Sequence, residues 1–222
     1  MQVRIADLTL VAIDCRAHAL TSFAIADTIL QIEPANAMVW SDRPEAVPRG
    51  VSWIKCPEMS SLREVASVLW WDMPYFVNTT HFLLVQWDGW VLNSNRWCPE
   101  FLKYDYVGAP WWFQDELNVG NGGFSLRSVR LSKYLAEHFD EFPLREPEDY
   151  ILCREYRPLL EQRGFCWAPE PLARRFAFER QEPIEATFGF HGHFNWPKIL
   201  SDTKLSQRLA LANDYVRKKP LF

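Results

Sequence analysis

The stretch His81–Gly89, HFLLVQWDG, decides how this chain is read. Phe82 to Val85 are continuously apolar and bulky, which suits a strand buried on both faces of a largely parallel sheet. The run stops at Gln86-Trp87-Asp88-Gly89. A carboxylate at the C-terminal end of a buried strand stands where open α/β sheets bind ligands, and the glycine beside it lets backbone approach closely. Asp88 is therefore the first candidate for chemistry. The plainer reading is a turn, because Asp-Gly is a common turn dipeptide.

Upstream of this strand the pattern is strand, helix, strand. Leu8–Ile13 is a first strand ending at Asp14-Cys15-Arg16, Ala17–Leu30 a helix, and Ala37–Trp40 a second strand closed by Ser41-Asp42-Arg43-Pro44. Such a βαβ unit is right-handed. Glu45–Gly50 reads as a loop, Val51–Ile54 as a third short strand, and Ser61-Leu-Arg-Glu64 as a capping box whose helix ends before Pro74.

Downstream, Val91–Pro99 reads as a polar loop, and Phe101–Pro110 as an extended piece ended by Gly108 and Pro110. Trp111–Asn118 is a mobile or acceptor-facing loop. Gly123–Leu126 is a strand, and Ser128 caps the helix Val129–His138. Glu146-Pro147-Glu148-Asp149 opens another helix, which Pro158 should kink or split and Gly164 should end. Phe165–Ala168 is a late strand. The tail from Ser201 to Lys219 is an amphipathic helix ending in Arg217-Lys218-Lys219.

The 222 residues fit one large domain or two small ones, and 48% hydrophobic content makes the chain globular. A net charge of −4 with interspersed signs lacks the basic face of a nucleic-acid binder. No window has the length of a membrane span, and the N-terminal apolar run is too short for a secretory signal. The five cysteines are scattered without a CxxC pair, which argues for free thiols in a reducing cytoplasm and against a zinc site. Eleven tryptophans are unusual. Most belong in the core, and some could stack on the apolar face of a sugar.

Four groups carry possible chemistry: Asp88, the glycines Gly120–Gly123, the acids Glu148-Asp149, and His191 with His193. Gly-Asn-Gly-Gly matches neither a dinucleotide fingerprint nor a phosphate loop. It is either a tight bend or a backbone wall pressed against a sugar, where any Cβ would collide. Glu148-Asp149 is either a pair of helix-dipole acids or a general base in a cleft. The two histidines share a face on a strand, as satisfied polar groups or as metal ligands.

The order of these groups resembles the nucleotide-sugar glycosyltransferases of the GT-A fold. FLKYDYVGAPW, VGNGGFSLRS, QWDG, EDYILC and FGFHG are similar to a bacterial family known as domain of unknown function 5672, over roughly Ile54 to Trp196. GGFSLRS, PEDYILCREY and LLEQRGFCWAP are also similar to the fringe-type β1,3-glycosyltransferases.

The resemblance implies a single GT-A-like (Rossmann-like) α/β domain with a central, mostly parallel sheet flanked by helices. Residues 1–90 would form its nucleotide-binding half, 91–200 its donor-sugar and acceptor half, and 201–222 a C-terminal helix. It implies Mn²⁺ or Mg²⁺ on an Asp-x-Asp motif, here Gln86-Trp87-Asp88 with the first acid replaced. Asp88 would be a metal ligand, completed by His191 or, second, His193. Gln86 would bond the ribose or sugar, and Gly122 and Gly123 would border the donor sugar. Asp149, with Glu148 behind it, would be the base of an inverting transfer.

Asp14, Arg16 and Asp42 sit at the ends of the early strands, within reach of the nucleotide. Arg127 is a diphosphate or acceptor contact, or else forms a surface salt bridge. The expected activity is hexosyltransferase-like: a cytoplasmic enzyme moving a sugar from a nucleotide diphosphate sugar, UDP favoured, to a hydroxyl of a glycan or glycoconjugate in polysaccharide or glycoconjugate synthesis. Its rivals are a metal-dependent phosphoester hydrolase using the same acids and histidines, and a non-catalytic carbohydrate-binding protein.

Overall fold

The structure is a computed structural model that describes residues 2–44 and 47–218, without the side chains of 214–218. The basic end of the tail and part of the 45–50 loop thus lie outside the described residues. The elements in chain order are β1 (Val3–Ile13), α1 (His18–Gln31), β2 (Ile32–Ser41), β3 (Ser52–Lys55), α2 (Leu62–Ser67), β4 (His81–Val85), β5 (Trp90–Val91), β6 (Tyr106–Gly108) and β7 (Phe124–Ser128). There follow α3 (Val129–Glu137), α4 (Glu148–Tyr150), α5 (Arg157–Gln162), α6 (Glu170–Phe176), β8 (Ala177–Phe178), β9 (Gly189–Phe190), α7 (Trp196–Ile199) and α8 (Asp202–Lys218).

Six strands form the main sheet in the order β3-β2-β1-β4-β7-β6. The first four are parallel, and β7 runs antiparallel to both β4 and β6. All five residues of β4 are buried, and their alternation explains why. Phe82 and Leu84 enter the apolar cluster on one face of the sheet, while Leu83 and Val85 enter the cluster on the other. Strand order turns back on itself between β1 and β4. The C-terminal ends of these two strands therefore flank the crevice where open sheets take ligands.

A second sheet, β5-β9-β8, is three strands of two residues each. Val91 belongs to this sheet and not to the loop expected there. Leu92 and Asn93 donate their N–H groups to the Phe188 carbonyl and hold the edge in place. The late strand expected over Phe165–Ala168 reduces to one parallel bridge between Trp167 and Tyr106, because Pro169 and the start of α6 cut it short.

Local rules account for several helix ends. Asp14 Oδ1 accepts from the N–H groups of Arg16 (3.2 Å) and Ala17 (2.9 Å) and so fixes the turn that leads into α1. Ser61 and Glu64 form the reciprocal capping box of α2. Ser128 Oγ accepts from Leu131 N at 3.1 Å to open α3. Pro158 does not break its helix. The stretch Ile151–Tyr156 winds as a π-helix and passes to α5 at Arg157, with Pro158 in the first turn of α5. Of the tryptophans, Trp40, Trp70, Trp90, Trp111, Trp167 and Trp196 are buried, while Trp53, Trp71 and Trp112 are exposed.

Candidate active site

The second sheet aligns three candidate side chains by register. β5 runs antiparallel to β9 with Trp90 opposite Phe190, and β8 runs parallel to β9 with Phe178 beside Phe190. The residues just outside these pairs are Gly89 with Asp88 behind it, His191, and Glu179. They are brought to one end of the sheet. His191 N is tied to the Phe178 carbonyl at 2.9 Å. A Cβ on Gly89 would stand 2.7 Å from the Phe190 carbonyl, so only glycine lets the Asp88 turn lie this close to His191.

Asp88 is buried, with its Oδ1 3.2 Å from His191 Nε2 and its Oδ2 accepting from His193 N at 3.1 Å. Among the described residues neither Asp88 Oδ1 nor His191 Nε2 has a hydrogen-bond partner. His191 Nδ1 lies 3.4 Å from Glu179 Oε1 and 3.0 Å from the Asn121 amide. A ring that donates from Nδ1 to Glu179 requires the Asn121 amide to turn its oxygen toward it. Burial raises the Asp88 carboxyl, but the charge of His191, with the N–H of His193, outweighs it and holds the group well below the usual carboxylate range. Burial likewise lowers His191, and the Asp88 and Glu179 carboxylates raise it to about 10.

The donor set fits a divalent cation at two positions. Glu179 on Nδ1 is placed to orient a metal-binding imidazole, whose Nε2 would become a ligand atom once the ring gives up the proton it holds against Asp88. A separation of 3.2 Å between Asp88 Oδ1 and His191 Nε2 suits neighbouring ligands of an octahedral ion, which stand roughly 3 Å apart. Among the described residues no group of three or more His, Cys, Asp and Glu side chains is placed to hold a metal. The remaining positions on such an ion would belong to a substrate or water. His193 is half exposed, with Nδ1 3.8 Å from Asp88 Oδ2 and its ring stacked on Trp87 at 5.5 Å.

Gly122 and Gly123 join this pair to the acids of α4. A Cβ on Gly123 would lie 2.0 Å from His191 Nε2, so the space that its lack of side chain leaves is filled by the imidazole. A Cβ on Gly122 would meet Asp149 Cβ at 3.1 Å. Gly122 N donates to Asp149 Oδ2 at 2.8 Å, and Tyr150 N donates to Asp149 Oδ1 at 2.9 Å. Asn121 reaches this bend with φ of 64°, a left-handed conformation that asparagine tolerates. Burial first, and then the charge of Glu148, push the Asp149 carboxyl upward.

Glu148 is bound on both oxygens. Arg127 donates to Oε1 and Oε2, and Trp70 Nε1 donates to Oε1 at 2.8 Å. Arg127 is 3% exposed and thus forms a buried ion pair, not the surface bridge that sequence left open. Its Nε donates to Ser125 Oγ at 3.0 Å, and Ser125 Oγ donates to the Gly122 carbonyl at 3.1 Å. Gly122, Ser125, Arg127, Glu148 and Asp149 close a ring.

Asp14, Arg16 and Asp42 lie together at the C-terminal ends of β1 and β2. Asp14 Oδ1 holds the turn before α1, and its Oδ2 is buried without a hydrogen bond among the described residues. Asp42 meets His18 Nε2 at 2.6 Å and Arg43 Nε at 3.3 Å. Gln86 follows β4, its N–H bonded to the Gly123 carbonyl at 2.9 Å. Glu179, Asn121, Trp70 and Ser125 were not singled out from sequence. For Asn121 the signal was present, a left-handed-tolerant residue between glycines. The other three join the site only through pairings that sequence does not display.

Solved structures share this fold at low identity. A glycosyltransferase involved in the glycosylation of the major capsid of PBCV-1 superposes with a TM-score of 0.53 at 12% identity, over 92% of this chain and 98% of its own. An active-site mutant of LgtC gives 0.51 at 10% identity, over 93% and 95%. The apo-form glycosyltransferase GlyE of Streptococcus pneumoniae TIGR4 gives 0.51 at 12% identity, over 95% of this chain and 64% of its own. No curated protein matches the sequence. The family described as "Protein of unknown function (DUF5672)" matches residues 60–191, more than half of the chain, and the chain belongs to that family.

Proposed function

We propose that the protein is a glycosyltransferase that moves a hexose-type sugar from a nucleoside diphosphate sugar, UDP favoured, to a hydroxyl of a glycan or glycoconjugate. The reading includes inversion at the anomeric carbon, assistance by Mn²⁺ or Mg²⁺, a cytoplasmic location and a place in polysaccharide or glycoconjugate assembly. The observation that carries it is the ion pair of Asp88 Oδ1 and His191 Nε2, 3.2 Å apart beyond the end of β4 and joined through Gly122–Gly123 to a half-buried Asp149.

A divalent cation, when bound, neutralises the charge that builds on the departing diphosphate. Asp88 and His191 would hold it, with His193 in reserve and Glu179 fixing the His191 ring. Asp149 takes the proton of the incoming hydroxyl as its oxygen bonds to the anomeric carbon and the bond to the diphosphate breaks. Each Asp149 oxygen takes one backbone N–H and keeps a lone pair for this step. Its raised proton affinity makes it a stronger base than an ordinary carboxylate. Gly122 and Gly123 give their side-chain space to Asp149 and His191 and not, as sequence suggested, to the donor sugar, while Gln86 bonds a ribose or sugar hydroxyl and Asp14, Arg16 and Asp42 serve the nucleotide. Arg127 and Glu148 position Asp149. Residues 1–90 and 91–200 divide into nucleotide and sugar–acceptor halves.

The test is thermal melting with UDP and Mn²⁺. Wild type should gain roughly 5–10 °C at a ligand concentration of about 100 Kd. Asp88→Asn, nearly isosteric, should lose the gain while remaining folded. Mass spectrometry of a sugar-nucleotide panel then reads transfer. A flat melting curve across all nucleoside diphosphates would sink the proposal, and phosphate release from simple esters without acceptor would favour the hydrolase.

A further inference from the structure

Beside the site lies a cavity of about 560 Å³, walled by the 112–118 loop on one side and α6 on the other. Trp112 on its rim is 54% exposed. Its polar lining is fixed in place. Asn118 donates to Glu170 at 2.5 Å, Arg174 Nε donates to Glu170 at 2.7 Å, and Arg174 Nη2 donates to Gln181 at 2.7 Å. Gln181 in turn donates to the Trp111 carbonyl. Planar polar groups held rigid beside a half-exposed indole suit a polyol, because hydroxyls take hydrogen bonds at the edge while the sugar's C–H face stacks on the ring. Asp115 and Glu170 are paired with Arg154 and Arg174, and Glu116 adds a third carboxylate against Arg180 at the Trp112 ring, so the surroundings are close to neutral and suit an uncharged sugar.

Both walls connect to the candidate catalytic groups. Phe113 and Tyr150 pack with ring centroids 6.3 Å apart, Arg154 covers Phe113 at 3.7 Å and pairs with Asp115, and Tyr150 follows Asp149 in the chain. Arg180 lies 5.6 Å from both the Trp112 and Phe194 rings, and Phe194 follows His193. Glu179, which faces His191, is two residues before Gln181. We infer that this cavity is the acceptor's sugar subsite and that it takes a neutral saccharide with Trp112 as its stacking face. The inference rests on the transferase reading above.

The experiment presents the full chain, with UDP and Mn²⁺, to an array of neutral oligosaccharides and their uronate-bearing counterparts. Wild type retains neutral glycans in preference to uronates. Trp112→Ala weakens retention about tenfold, the scale of one aromatic contact, and Trp112→Phe restores most of it. UDP affinity by calorimetry is unchanged in both variants. Unchanged retention by Trp112→Ala, a preference for uronates, or no retained glycan from a chain that binds UDP would each overturn the subsite. A chain that binds no nucleoside diphosphate yet retains glycans through Trp112 would overturn the transferase reading and leave the cavity assigned.

Discussion

The Gly122 peptide is gripped at both ends: its N–H by Asp149 and its carbonyl by Ser125, which leads through Arg127 to Glu148. This ring sets both the direction and the basicity of Asp149. Burial and the Glu148 charge raise its carboxyl, so the ionised base accumulates only at pH values above the ordinary carboxylate range. The acid limb of kcat/KM is therefore expected above that range. Glu148→Gln removes the repelling charge and should move the limb to lower pH, at about 3–5 kcal/mol of stability because Arg127 is left buried with a neutral partner. Asp149→Asn should lower transfer by roughly 10²–10⁴-fold. The sign for stability is opposite. A carboxyl whose folded pKa is raised destabilises the fold as pH climbs from its unfolded value through its folded value. Asp149→Asn escapes that penalty but turns an amide NH2 toward one of the Gly122 and Tyr150 N–H donors, so it should melt below wild type, by most under about pH 4 and by less near neutrality. Sequence offered Asp88, His191 and Asp149 as candidates because their residue types stand next to glycines or at element ends. It hid Glu179 and Trp70, whose roles come from a strand register and from a contact 78 residues away in the chain.

Among the elements, β4 was the most legible, because a run buried on both faces needs four bulky apolar residues in a row and tolerates no polar interruption. Phe82, fully buried in the cluster that also holds Leu84, should cost roughly 3–5 kcal/mol on truncation to alanine, read as a lowered urea midpoint with unchanged slope. The two-residue strands of the second sheet were illegible, since alternation has no period to display over two residues. Their pairing is nonetheless what gathers Asp88, His191 and Glu179. The π-helical turns had no sequence signal either. Val68–Asp72 carries Trp70 toward Glu148, and Ile151–Tyr156 continues directly from α4. Both wide turns thus flank the acid pair, a placement common for π segments at functional sites.

At the scale of the molecule, the α/β class followed from the alternation of elements, and the expected mostly parallel central sheet is present, with β7 reversed against β4. What sequence could not state is how the last helix closes the structure. No helix among the described residues is long and apolar enough to cross a membrane, and α8 instead packs on α1. The attachment is Arg208, 5% exposed at its side chain, which pairs with Asp27 of α1 and lies 4.3 Å over the Trp90 ring of β5. Trp90 pairs with Phe190, next to His191, so the helix braces the sheet that holds the site. The guanidinium has a second nitrogen, Nη1, with no hydrogen-bond partner among the described residues, so its charge depends on Asp27. Asp27→Ala leaves that charge buried and unpaired and should cost about 3–5 kcal/mol. Arg208→Met keeps most of the apolar stem packing and leaves only a part-exposed carboxylate behind, so it should cost less. The double variant should be more stable than Asp27→Ala alone. Urea titrations of the four proteins supply the cycle, and a double variant as weak as the sum of the singles would show that the pair contributes nothing of its own.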